Sequence, residues 1–388
     1  MNNENKLIPK LRFPEFQESH GWSIEEIDEL SDVIKGQQLN KMALSEIGLY
    51  PCLNGGINPS GYTDKYNSDS DTITISEGGN SCGYVNFMTT KFWLGGHCYK
   101  LLLKECVNKM FYYQLLKLNE KRIMKLRVGS GLPNIQQKSL RKLKLQFTKN
   151  AVEQQKIAAC LSSLDEVIAG ESQKLELLKE HKKGLLQNLF PQEGEAVPKL
   201  RFPEFKDSGE WEEKTIEQVA KVTTGNKDTQ NKVENGDYPF YVRSQNVERI
   251  NTYSYDGEAI LTSGDGVGVG KNFHYINGKF DFHQRVYCIY KFEKEIDGKF
   301  IYMYFSQHFN ERVMRMSAKN SVDSVRRTMI TKMPILIPSK SEQQKIAACL
   351  SSLDDLIAAQ SQKIETLKLH KKGLLQGLFP PVNEESNG

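Results

Sequence analysis

The 388-residue chain has no apolar run near the length of a membrane span, so no segment is expected to cross a bilayer. Its opening residues, MNNENKLIPKLRF, lack the apolar core of a secretory leader, which points to a cytoplasmic protein. Cysteine is scarce: there are seven, an odd number, with no Cys-x-x-Cys pair. That argues for reduced thiols and against a zinc site. The seven histidines, at 20, 97, 181, 274, 283, 308 and 370, show no HExxH or other metal-ligand spacing, so no metal is expected. The GxSxG elbow of serine hydrolases is missing. The glycine-rich stretch GDGVGVGKNF (264–273) stops short of a phosphate loop. Asp265 stands where that motif needs its first glycine, and Asn272 replaces the Ser or Thr after Lys271. It reads instead as a turn between strands, with EGGNSCG (77–83) as its counterpart earlier in the chain. FPPV (379–382) lacks the Asn or Asp and the aromatic of an amino-methylation tetrad. No catalytic residue and no cofactor of its own are expected. A large charge excess is also missing: at a net +4, any basic surface must be local.

What the chain does contain is itself, twice. EQQKIAACLSSLDEVIAGESQKLELLKEHKKGLLQNLFP (153–191) returns nearly unchanged 189 residues later, at 342–380. PKLRFPEF (9–16) returns at 198–205 with the same offset, as do Trp22 at Trp211, Val33 at Val222 and Gly36 at Gly225. The long copies carry apolar residues at alternating steps of three and four, the mark of a coiled-coil seam. The first seam is Ile157, Leu161, Leu164, Ile168, Leu175, Leu178, Leu185 and Leu189. The second is Ile346, Leu350, Leu353, Ile357, Ile364, Leu367, Leu374 and Leu378. Glu171, Lys182, Gln360 and Lys371 interrupt the seams with polar groups that fix register. Each copy opens on a capping-box pattern, Asn150 with Glu153 and Ser339 with Glu342, and stops at a proline, Pro191 or Pro380. At ~1.5 Å per residue each helix spans roughly 55 Å. Two matched seams in one chain can bury each other, so antiparallel pairing within the chain is expected ahead of a homodimeric coil.

Between the repeats lie two regions that share pattern more than identity. Each has an early Tyr-Pro, at Tyr50-Pro51 and Tyr238-Pro239. Each then has β-type runs, DTITISEGG (71–79) and FWLGGHCYKLLLK (92–104) against EAILTSGDG (258–266) and FDFHQRVYCIYKF (280–292). A helical stretch follows, Lys109 to Leu126 and Lys299 to Met316, then a short strand, LKLQF (143–147) and MPILIP (333–338). Glycine-rich turns between β-type runs predict compact α+β domains. A nearly constant frame around two divergent regions reads as one holder for two readers of different targets.

Basic residues cluster in both regions. Lys121, Arg122, Lys125, Arg127, Lys138, Arg141, Lys142 and Lys144 have no acidic residue between them. Arg312, Arg315, Lys319, Arg326, Arg327 and Lys332 are interrupted only by Asp323. Such clusters neutralise phosphates, and arginine also reads guanine edges. A solvated helix face explains them as simply. Arg243, Asn246, Arg249, Lys271 and Arg285 are further candidates on loops, where side chains are placed to contact a ligand.

The two EQQKIAACLSSLD…HKKGLLQ…LFP copies, the LRFPEF segments and the run GSGLPNIQQKSLRKLKLQ (129–146) resemble the specificity subunits of type I restriction-modification systems. SVDSVRRTMITKMPILIPS departs from the family's glycine-proline form in the second half, so the local turn there is expected to differ. The resemblance implies two tandem target-recognition domains, at 17–150 and 206–339, joined by two long helices, at 151–191 and 340–380. An opening segment at 1–16, a linker at 192–205 and a tail at 381–388 complete the division. It further implies that each domain reads one half of a split site on double-stranded DNA. Two methyltransferase subunits, using S-adenosylmethionine, would dock on the chain, and two ATP- and Mg-dependent restriction subunits would complete the complex. A coiled-coil scaffold with two protein-binding heads, or a free-standing repressor, are the competing readings. Basic, divergent heads favour DNA, and the missing helix-turn-helix signal disfavours a repressor.

Overall fold

The computed structural model describes residues 7–129, 131, 133–316 and 324–381. The chain divides into two units, residues 1–172 with 362–388 and residues 173–361, and the division falls inside both long helices. The helices, Ala151–Leu189 and Lys340–Leu378, are 39 residues each.

In the first unit, Ser23–Glu26 pairs antiparallel with Lys144–Phe147. A four-stranded antiparallel sheet runs in the order Ser31–Lys35, Cys98–Leu103, Thr72–Ser76, Val85–Met88. Beside it a small sheet pairs Tyr50–Leu53 with Tyr62–Thr63 and, in parallel, with Trp93–Leu94. The expected run 92–104 is thus two strands, which pair with different partners. Gly95 makes the break possible, because a Cβ there would lie 2.6 Å from Asn54 Oδ1 and 2.7 Å from Leu53 O. The expected helix from Lys109 to Leu126 is also two, Lys109–Leu118 and Glu120–Lys125. Asn119 divides it: its buried side chain donates to Leu115 O at 2.9 Å and accepts from Arg122 at 2.7 Å.

The second unit repeats the frame with a larger sheet. Glu212–Thr215 pairs with Pro334–Ile337. Six strands follow the order Lys221–Thr224, Val286–Tyr290, Tyr255–Ser263, Phe273–Phe282, Tyr238–Tyr241, Glu248–Ile250. The expected run 280–292 breaks at 283–285, where His283 Nδ1 accepts from the Arg285 amide at 2.9 Å. The glycine-rich 264–272 is the turn between two strands, as expected.

The long helices pair antiparallel within each unit. In the first, Lys371 reaches Asp165 at 2.5 Å and Lys363 reaches Glu171, so one numbering rises as the other falls. Lys182 and Asp354 form the equivalent pair in the second. All sixteen seam residues are buried or half-buried. Ile157 and Leu161 share a core with Leu378 and Phe379, and Ile346 and Leu350 share another with Leu189 and Phe190. The lysines at seam positions find a carboxylate on the facing helix, which ties register to charge as well as to packing.

The capping boxes form only in part. Asn150 Oδ1 accepts from the Val152 and Glu153 amides, and Ser339 Oγ from that of Glu342. The glutamates do not reach back. Glu153, fully buried, takes Arg12 at 2.7 and 3.0 Å, Thr148 at 2.8 Å and Trp22 Nε1 at 3.4 Å. Glu342 takes Arg201 at 2.7 and 2.8 Å. A bidentate guanidinium is a stronger partner for a buried carboxylate than a backbone amide. The repeated LRFPEF segment therefore fastens the head to the start of the helix. Trp22 with Phe111 and Phe379, and Trp211 with Phe300 and Phe190, form the matching aromatic cores.

Candidate nucleic-acid interface

The strand registers define equivalent positions in the two heads. Ser76 faces Cys98 as Ser263 faces Val286, and Lys35 faces Tyr99 as Thr224 faces Tyr287. The Tyr99 hydroxyl donates to Ile135 O at 2.9 Å, and that of Tyr287 to Val325 O at 3.1 Å. The Ile135 amide donates to Glu77 O at 2.8 Å and the Val325 amide to Gly264 O at 2.7 Å. Position 77 thus corresponds to 264, 78 to 265 and 97 to 285.

Around this shared frame the second head gathers charge at one sheet edge. Arg243 donates to Asp265 at 2.9 Å, and Arg285 stands 3.8 Å from the other oxygen of that carboxylate. Asn272 donates to Arg243 O and Ser263 Oγ, each at 3.3 Å, and His274 Nε2 lies 3.1 Å from Ser244 O. His283 sits beneath, 3.9 Å from Asp228; burial first, and then the Arg243 charge, hold its pKa below the ordinary 6.5. Lys271 is exposed at the end of the same turn. One carboxylate thus faces two guanidiniums at an exposed edge, hydrogen-bonded to Arg243 and in ion-pair range of Arg285. Such groups are available to phosphates or guanine edges.

The equivalent edge of the first head is built differently. Glu77 is buried, accepting from Lys35 at 2.6 Å and Tyr99 at 2.9 Å, with His97 4.0 Å away. The hairpin Arg127–Val128 with Asn134–Ile135 adjoins it, Asn134 bridging to Gly78. Arg127 and Lys138 are exposed there, and Lys121 and Lys125 are exposed on the preceding helix.

Other expected residues are occupied within the protein. Arg249 donates to Gly236 O and Asp237 O, both at 2.9 Å. Arg312 closes the helix Arg327–Thr331, donating to Met329 O and Lys332 O. Arg315 is paired with Glu193 and Glu311. Arg327 donates to Val222 O, where the first head uses Gln137 on Val33 O. Arg122 holds Asn119, and Arg141 reaches Val33 O at 3.3 Å with Asp28 3.5 Å away. Asn246 and Arg326 are exposed, and Lys319 lies outside the described residues. The structure brings Arg243 and Arg285 together and leaves Arg249 apart. Asp265, which organises them, was not among the expected site residues; only its place in a glycine-rich turn marked it. Among the described residues no three His, Cys, Asp or Glu side chains come together as metal ligands, and no helix is long and apolar enough to cross a membrane.

A Mycoplasma genitalium protein, provisionally named a type I specificity subunit, is 26% identical over 98% of each chain. The specificity subunit of a Methanocaldococcus jannaschii type I restriction enzyme is 25% identical over 94% of this chain and 95% of its own. The crystal structure of a type I restriction-modification S subunit from M. genitalium has the same fold, with a TM-score of 0.71 at 23% identity, over 97% of this chain and all of that one. The family described as "Type I restriction modification DNA specificity domain" matches residues 19–180 and again 208–369. With the repeated frame and the paired helices, these matches establish that the chain belongs to the type I restriction-modification DNA specificity family.

Proposed function

We propose that this chain is the DNA sequence-recognition subunit of a type I restriction-modification complex. Each head reads one half of a split, asymmetric site, and the paired helices set the spacer between the halves. The observation that carries this reading is the contrast at equivalent sheet edges. The second head presents Arg285 over Asp265, with Arg243 bonded to the same carboxylate, where the first has His97 and Gly78. A frame this constant with edges this different suits one task, applied to two unlike words. Recognition, not catalysis, is the chain's part. Methyl transfer from S-adenosylmethionine belongs to two modification subunits docked on it, and ATP- and Mg-dependent cleavage to two restriction subunits. Mapping methylated adenines in cells that carry the chain with its modification partner tests the proposal. The recovered site should hold two different words around an unread spacer. Exchanging residues 17–150 for those of another family member should rewrite one word and spare the other. A single continuous palindrome, or a swap that alters both words, would overturn it.

A further inference from the structure

The glycine-rich turns at 77–83 and 264–270 are the same turn in both heads. Gly79 and Gly266 adopt left-handed φ of 76° and 77°, and a Cβ on either would meet nothing within 4 Å. The Cys82 amide returns to Gly79 O and the Val269 amide to Gly266 O, each at 3.1 Å. Gly83 and Gly270, again at positive φ, close the turns against Met124 and Asn310. Between these fixed points each turn raises one side chain into solvent: Asn80 in the first head, Val267 in the second.

Val267 is 94% exposed, an apolar side chain held out by the turn that carries Asp265, the carboxylate facing Arg243 and Arg285. A valine this exposed removes almost no apolar area from water on folding, so its side chain contributes nothing to the fold. Asn80 occupies the matching tip, one residue after Gly79, whose amide donates to Pro133 O at 3.1 Å next to the hairpin that carries Arg127. The backbone of the turn is conserved between the heads while its tip changes chemistry. That is the pattern of a reading position on a fixed support. The two chemistries also match bases. A carboxamide pairs with the N6 and N7 edge of adenine, and a small apolar side chain contacts the thymine methyl.

Building on the DNA-recognition reading above, we propose that Asn80 and Val267 are specificity-determining residues, Asn80 reading an adenine in one word and Val267 a thymine methyl in the other. The flanking cations position the turns on phosphates and carry little sequence information themselves.

The test uses the full chain with its modification subunit and random duplex DNA, comparing selected sites for wild type, Asn80→Ala and Val267→Ala. Both positions are exposed tips, so the variants should elute and melt as wild type. Asn80→Ala should lower discrimination at one adenine of one word by roughly fivefold to a hundredfold. Val267→Ala should lower it at one thymine of the other word by about three- to tenfold, and replacing that thymine by uracil should mimic the substitution for wild type only. Gly79→Ala, which strains the turn without filling space, should reduce the same preference as Asn80→Ala. If wild type recovers a split site and the variants recover it with unchanged preferences, the tips do not read bases and this assignment fails while the recognition reading stands. If wild type recovers no consensus, the recognition reading fails and takes this one with it.

Discussion

The two heads differ most where they are best supported. Beneath both lie a buried Arg–Glu pair and a buried glutamine that ties head to helix. Gln154 donates to Cys106 O and Thr148 O, and Gln343 to Glu295 O and Pro338 O. Above this shared floor the first head uses a four-stranded sheet, a three-stranded sheet and a two-stranded hairpin, and the second one six-stranded sheet. The exposed edges then share almost no side chain. The floor repeats the same contacts in both heads, while each edge is built on its own groups, Glu77 with Lys35 and Tyr99 in the first and Asp265 with Arg243 in the second.

The sharpest way to break the comparison is to attack the floor in each head separately. Arg12 and Arg201 are buried, so replacing either by alanine should cost ~3–5 kcal/mol of unfolding free energy by leaving a carboxylate uncompensated. The losses should not be equal. Glu153 keeps Thr148 and Trp22 as donors, whereas Pro338, which has no side-chain donor, stands where the first head has Thr148, and Trp211 Nε1 has no partner. Denaturant melts should therefore find Arg201→Ala the worse by about 1 kcal/mol, the scale of a single hydrogen bond. Equal losses would mean the extra donors contribute nothing.

The glycines at the first strand end should behave alike. A Cβ on Gly225 would sit 1.9 Å from Phe282 O, and one on Gly36 2.2 Å from Gly95 O. Gly225→Ala and Gly36→Ala should each destabilise by roughly 1–3 kcal/mol, read from thermal melts. A harmless substitution in one head only would show that the frames are less alike than their registers indicate.

At the edges the heads should part company. Asp265→Ala releases Arg243 and Arg285, so binding to unrelated duplex should strengthen and its salt dependence steepen by about one counterion. The first head has Gly78 at that position, and nothing to release. Lys138→Ala should weaken binding to all sequences and flatten the salt slope by ~1, whereas Arg141→Ala, whose guanidinium is held by Val33 O and Asp28, should leave the slope unchanged. Filter binding between low and moderate salt checks both. Relaxation at a single base position would instead make Lys138 a reader.

The smallest expected difference is in pH response. Burial holds His274, His283 and His308 of the second head below the ordinary 6.5, with Arg243 adding to the effect on His283. Folding favours the neutral form of each, so its contribution is complete above 6.5 and is lost as pH falls through that value toward the depressed folded pKa. Hydrogen exchange at pH 7 and pH 5 should show residues 206–339 loosening more than 17–150. Equal loosening would assign the effect to carboxylates common to both.

The sequence by itself determined the repeat, the two long helices and their antiparallel pairing, because a 3.5-residue period and a matching second copy leave few other ways to bury the seams. It also showed strand-rich heads with a helix and a closing strand in the same order. Only the tertiary structure decided what each charged side chain does. Glu153 looks like a local cap in the sequence, yet a buried carboxylate takes the strongest donor in reach, and Arg12 comes from 141 residues away. Arg327 and Arg249 look as free as Arg243, yet carbonyl groups brought near by the strand ends claim the first two. Runs 92–104 and 280–292 look like single strands, but whether a strand continues depends on which neighbour can pair with it. Local pattern fixes periodicity and turns; the partner of a charge or of a strand edge exists only once distant segments have met.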